Sequence, residues 1–191
     1  MKIIKKNKNF NLKKTKINGL NIIMIKRKSD TRGYLDRLYC AKDLVNILHK
    51  KKIVQINRTL TKKKGFVRGL HYQRSPFQET KLVTCIKGEV YDLALDIRKN
   101  SKTFLNYHGE ILSKKNKKIM VIPEGFAHGF QTLSKDCELL YFHTQFYSKK
   151  NEGGIRIDEP RLNIKLPKKI SGMSKRDSNF IFKDKSYGLK K

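Results

Sequence analysis

The chain has 191 residues, with 45 Lys and Arg against 16 Asp and Glu and a formal net charge of +29. One domain of roughly 100–200 residues with a core of its own fits that length, and the 38% of hydrophobic residues together with 12 glycines exclude disorder throughout. Three cysteines, Cys40, Cys85 and Cys137, form an odd set at neither zinc-ribbon nor redox-pair spacing, which excludes a disulfide-stapled scaffold and reads as reduced thiols of a cytoplasmic protein.

The positive charge comes from 35 Lys and only 10 Arg, spread through runs such as KKNKN, KKNKK and SKKN. A surface selected to grip phosphate favours arginine forks, so this excess reads as a solvated basic surface and a nucleic-acid partner is not expected. The N-terminus lacks the apolar core of a signal peptide, and no run of about 18 apolar residues offers a membrane span.

Residues 1–19 read as a basic N-terminal arm, and the single domain, 20–191, begins near Leu20. From there the apolar runs are short: NIIMI, KIVQI, KLVTCI, EVYDLALDI, KIMVI, CELLYF and GIRI. Several alternate with period two, as in Val90, Asp92, Ala94 and Asp96 against Tyr91, Leu93, Leu95 and Ile97, which predicts half-buried strands. Turn signals at Gly65, Gly88, Pro123-Glu124-Gly125 and Gly153-Gly154 separate them. Only Ala41 to Lys50 has a helical pattern, with Leu44, Ile47 and Leu48 at i, i+3 and i+4. The tail from Ser171 carries no strand pattern. Many short strands without a βαβ rhythm imply a mostly β, antiparallel sandwich or barrel with few short helices.

Polar residues inside these strands mark a candidate site. Arg68, His71 and Gln73 share RGLHYQ, Asp92 and Asp96 share a face of their strand, and His128 sits in PEGFAHGF. Burying so many polar groups costs several kcal/mol unless they serve one another or a ligand. Metal binding is not expected: the positions two before and two after His71 are Gly69 and Gln73, His49 falls in the helix, and His108 and His143 are isolated. No nucleophile elbow and no glycine-rich phosphate loop is present. What remains is general acid–base chemistry with His as base and Tyr as acid. Each residue also has a plainer role open to it: Tyr141 as a core aromatic, Arg68 and Lys81 as rim charges, Asp92 and Asp96 as barrel supports, Glu152 as a turn former.

The motifs RGLHYQ, KLVTCIKGEVYDLALDIR, LSKKN, IPEGFAHGFQTL, LLY and FYS followed by EGGIR resemble, in order and spacing, those of the dTDP-4-dehydrorhamnose 3,5-epimerases, over roughly Ser29 to Asp177. The resemblance implies a cupin-like double-stranded antiparallel β-barrel of jelly-roll type, a homodimer without metal or cofactor, and a nucleotide-sugar substrate. It implies that His71 is the base acting beside the C4 ketone at C3 and C5, that Asp177 is its paired carboxylate, and that Tyr141 is the acid on the opposite face. Lys81 would sit near the C4 oxygen, and Arg32 and Arg68 would contact diphosphate and nucleotide. Gln55, Asn57 and His128 would line the sugar pocket, Tyr147 would stack on the base, and Glu152 and Arg176 would add ligand contacts. Departures from the family pattern fall at Tyr34-Leu35-Asp36-Arg37, at Arg58-Thr59 and at Arg176. They spare His71, Tyr141 and Asp177 and leave the nucleotide open. Other readings are a single-site epimerase or ketoisomerase on another nucleotide sugar, and a non-catalytic nucleotide- or nucleic-acid-binding barrel.

Overall fold

The computed structural model describes residues 3–181. Its strands are β1 (Ile3–Lys6), β2 (Phe10–Lys14), β3 (Asn21–Ile25), β4 (Lys28–Asp30), β5 (Gly33–Leu35), β6 (Gln55–Thr61), β7 (Val67–Gln73), β8 (Lys81–Lys87), β9 (Glu89–Asp96), β10 (Tyr107–Ser113), β11 (Lys118–Ile122), β12 (Phe126–Thr132), β13 (Cys137–His143) and β14 (Glu152–Gly154). Two one-turn helices, α1 (Ala41–Leu44) and α2 (Lys175–Ser178), complete the regular structure apart from two 3-10 turns. A seven-stranded sheet in the order β1-β2-β3-β11-β8-β13-β6 faces a five-stranded sheet in the order β10-β9-β12-β7-β14, and β4-β5 is a separate hairpin. All of these pairs are antiparallel. This two-sheet closure is the mostly β, antiparallel architecture expected from the short alternating runs and the jelly-roll type that the family resemblance implies.

Apolar residues fill three layers. Between the sheets lie Ile22, Val83, Met120, Val90, Ala94, Phe130 and Leu139. Behind the five-stranded sheet, Leu93, Leu95 and Ala127 pack under Ile155, Ile157 and Leu162 of the C-terminal segment. Behind the seven-stranded sheet, Leu82, Val121 and Phe142 pack under Leu44 and Leu48. Both faces of the central strands are therefore covered, where the alternation predicts half-buried strands.

The structure departs from the sequence reading at several points. Of the expected arm, residues 3–19 join the body of the fold. They supply β1 and β2, because Phe10, Leu12 and Ile17 are buried while the intervening lysines face outward. The helix expected over 41–50 is one turn long, Ala41–Leu44; residues 45–50 continue as turns that end at His49 and Lys50, whose left-handed backbone angles, φ 50° and 64°, an α-helix excludes. Strand β10, with polar residues at most positions, was not anticipated. The segment from Ser171 folds back on the body, with Gly172 bridging to Phe66 and α2 set against β7. Residues 182–191 of the expected domain lie outside the described residues.

Candidate active site

One end of the barrel opens into a cavity of about 390 Å³ between the two sheets. On the five-stranded side, β7 and β12 pair with a one-residue irregularity: His128 opposes His71, and Phe130 opposes Arg68. Three residues of β7 thus span two of β12, and this bulge turns both Arg68 and His71 into the cavity, although their odd separation would place them on opposite faces of a regular strand. Gly69 makes it feasible. Its φ is +96°, and a Cβ there would lie 2.5 Å from the carbonyl oxygen of His128.

Behind His71 lies Asp177 of α2, its own N–H donated to the capping Ser174 hydroxyl at 3.0 Å. His71 Nε2 is 2.8 Å from Asp177 Oδ1, and Asp177 Oδ2 accepts the Gly69 N–H at 3.1 Å. Burial works against ionisation of Asp177, but the hydrogen bond and charge of His71, the Gly69 N–H and Arg176 outweigh it and hold the carboxyl below its ordinary range. An ionised Asp177 accepts only, so His71 donates Nε2–H and keeps its lone pair on Nδ1. Arg176 reaches Glu152 Oε2 at 3.0 Å with one amino nitrogen and lies 3.1 Å from His71 Nε2 with the other. Deeper in the cavity His128 Nε2 meets Asp92 Oδ1 at 2.8 Å, both side chains buried; Asp92 Oδ2 has no donor among the described residues.

The facing wall belongs to the seven-stranded sheet. Tyr141 of β13 has its ring 6.0 Å from that of His128, edge to face, and 6.1 Å from that of His143, nearly parallel. Burial pushes the Tyr141 phenol well above its usual range, so it keeps its proton. Lys81 Nζ is 3.0 Å from Glu79 Oε1, and the other oxygen of Glu79 is 2.6 Å from His143 Nδ1. Asn57 of β6 lines the same wall.

Of the residues expected from sequence, Asn57, Arg68, His71, Lys81, His128, Tyr141, Tyr147, Glu152 and Arg176 line this one cavity, with Asp177 directly behind His71. Gln55 stands a step back, where its Oε1 accepts the N–H of Tyr147 at 3.0 Å, and Tyr147 in turn donates its hydroxyl to Glu152 at 3.0 Å. Arg32 is not brought to the cavity of its own chain; it sits at the turn of the β4-β5 hairpin, exposed and paired with Asp30. Glu79 and His143 were missed, although His143 lies two residues beyond Tyr141 and shares its strand face. Among the described residues no group of three or more His, Cys, Asp or Glu side chains is placed to hold a metal ion.

The geometry thus faces a carboxylate-backed imidazole with a protonated phenol across a polar cavity, an arrangement suited to taking a proton from one side of a carbon and returning one from the other. Residues 14–184 match the family model described as dTDP-4-dehydrorhamnose 3,5-epimerase. The chain is 41% identical over 171 residues to the dTDP-4-dehydrorhamnose 3,5-epimerase of Shigella flexneri, covering 89% of this chain and 94% of that one. It superposes with a TM-score of 0.83, at 38% identity, on the dTDP-6-deoxy-D-glucose-3,5-epimerase of Legionella pneumophila in complex with dTDP-4-keto-L-rhamnose, covering 88% of this chain and 90% of that one. It also superposes, with a TM-score of 0.84 at 31% identity, on the dTDP-4-dehydrorhamnose 3,5-epimerase of Bacillus anthracis with TDP and PPi bound, covering 89% and 98% of the two chains. The chain belongs to the dTDP-4-dehydrorhamnose 3,5-epimerase family of isomerases.

Proposed function

We propose that the cavity binds a dTDP-linked 4-keto-6-deoxyhexose and inverts C3 and C5 by metal-free general acid–base catalysis. The observation that carries this reading is the placement of the His71–Asp177 pair and Tyr141 on opposite sheets across one cavity. His71 Nδ1 takes the proton from the carbon beside the C4 ketone, and Asp177 stabilises the imidazolium that results. The ketone becomes an enolate, whose oxygen is stabilised by the ammonium of Lys81. Tyr141 delivers a proton to the opposite face of the same carbon, which inverts it, and the enolate collapses to the ketone. Arg68 and Arg176 supply positive charge for the diphosphate, Asn57 and His128 contact the sugar, and Tyr147 with Glu152 closes the nucleotide end.

The active form is proposed to be a homodimer in the cytoplasm. Tyr34 and Leu35 on the β4-β5 hairpin and Ile56 and Leu60 on the edge strand β6 are exposed apolar residues, an unfavourable surface for a monomer. A second copy seated there would also give Arg32, otherwise remote from its own cavity, a route to the partner's nucleotide. The three cysteines are free thiols, consistent with a reducing compartment. No helix among the described residues is long and apolar enough to cross a membrane.

The test is incubation with dTDP-4-keto-6-deoxyglucose in D₂O, following C3 and C5 by NMR. Deuterium enters both positions if the proposal holds. Uptake at C3 alone reassigns the chain as a single-site epimerase, and no uptake at either carbon overturns the proposal.

A further inference from the structure

Glu79 on the seven-stranded wall is a carboxylate that the proton transfers above do not use. Its two oxygens bind two different cavity residues, Lys81 on β8 and His143 on β13, at 3.0 and 2.6 Å. The register sets His143 opposite Lys81 on one side and Gln55 on the other, so Lys81, Glu79 and His143 form a continuous row across the wall. All three side chains are about nine-tenths buried and all line the cavity.

The ammonium of Lys81 and the hydrogen bond from His143 overcome the burial of Glu79 and hold its carboxyl down to about 2. A carboxylate in that state has only acceptor sites, so the His143 nitrogen facing it, Nδ1, is the donor. Nε2 then carries the lone pair through which His143 gains or loses a proton, with the donor Asn57 Nδ2 at 3.4 Å from it. The charge balance of the row follows. Lys81 and Glu79 cancel, leaving no net charge to receive an anionic ligand, whereas a second proton on His143 makes the row +1.

Of the groups facing this ring only Glu79 favours that proton, and the cations beside and across from it oppose one until an anion arrives. From its own strand comes Tyr141, which is neutral; from β6, the uncharged Asn57; from β8 and the residues before it, Lys81 and Glu79. Across the cavity stand Arg68 and His71 of β7 and His128 of β12, while the more distant Glu152 is engaged by Arg176. The local anion is Glu79, already shared with Lys81, so a ligand phosphate or enolate oxygen supplies the second negative charge that an imidazolium in this row needs.

We propose that His143 is a ligand-binding residue of this site, taking up a proton as the nucleotide sugar binds and donating a hydrogen bond from Nε2 to an anionic oxygen of the ligand. Glu79 is the positioning residue that orients His143 and Lys81 together. This rests on the nucleotide-sugar reading of the cavity.

The test is calorimetry with dTDP-glucose, whose diphosphate diester keeps its charge across the working range, in two buffers of different ionisation heat. The wild-type protein takes up a proton fraction on binding that His143→Gln lacks. The variant binds roughly tenfold more weakly at about pH 6.5 and within about twofold of wild type at about pH 8.5, above the range in which imidazoles ordinarily hold a second proton. Glu79→Gln, which keeps the side-chain shape and removes the charge, loses affinity with the same pH dependence; equal losses at both pH values would reduce Glu79 to a structural support and overturn its positioning role. Should a variant fail to fold, nitrogen chemical shifts of His143 in labelled wild-type protein give the answer directly, and a neutral ring in the complex overturns the inference. Unchanged affinity and proton uptake in His143→Gln overturn it too and leave the epimerase proposal standing. Failure of the wild-type protein to bind dTDP-glucose removes both.

Discussion

On the wall of the five-stranded sheet each imidazole has a carboxylate of its own: Asp177 behind His71 and Asp92 behind His128, both at 2.8 Å. On the facing wall one carboxylate, Glu79, is divided between Lys81 and His143, and the neighbouring Tyr141 phenol is driven upward by burial. The same residue types therefore have different electrostatic characters on the two sides. A private carboxylate orients an imidazole and prepares it to accept a proton, whereas a buried phenol beside a charge-balanced row holds its proton until an anion forms in front of it. Inversion of a carbon needs a base on one face and a protonated acid on the other, and the two walls supply those opposite protonation states.

The asymmetry can be broken from either side. The largest effect is expected on the basic wall: His71→Ala removes the group that starts the reaction, and deuterium uptake at C3 and C5 falls together by about 10⁴-fold. Persistence of uptake at either carbon would show that a second base serves it. On the acidic wall Tyr141→Phe leaves His71 able to exchange the proton it removes, so uptake continues while formation of the inverted sugar drops by about 10²-fold or more. Measuring uptake and inversion in one NMR time course separates the two walls. Equal loss of both signals would place Tyr141 in proton removal as well.

A smaller and purely thermodynamic effect appears on both walls in acid and is tested at Glu79. Asp177 and Glu79 both have folded-state values below their ordinary ones, so each contributes stability that is fully present above its unfolded value and is lost as pH falls through the folded one. For Glu79 the window runs from 4.5 down to about 2. Urea unfolding across that range should show Glu79→Gln less stable than wild type at neutral pH, with the difference closing as the pH approaches 2. A difference independent of pH would mean that packing, and not charge, is what Glu79 supplies.

Much of this architecture is legible without coordinates. The period-two runs around Val90–Ile97 and Cys137–Phe142 are strands because alternate residues must face the inter-sheet core. The lack of a βαβ rhythm and the grouping of Arg68, His71 and Gln73 within one strand-like segment already point to an antiparallel fold with a polar interior. Strand β10 and the N-terminal pair β1-β2 are hidden because their polar and lysine-rich composition masks a few buried positions, such as Leu112, Phe10 and Leu12.

By itself the chain determined the alternation, the turn positions and the residue types of the acid–base set, since these depend on local periodicity and side-chain chemistry. Only the tertiary structure decided which of those side chains meet. The bulge at Gly69 rotates Arg68 and His71 onto one face, the return of α2 across 106 residues brings Asp177 to His71, and antiparallel pairing of β8 with β13 joins Lys81, Glu79 and His143 into a row. The physical reason is that a contact between distant segments depends on how they are brought together: a register shift of one residue would turn the strand residues Arg68, His71, Lys81 and His143 to the other face of their sheets, and Asp177 depends on the docking of α2 against β7.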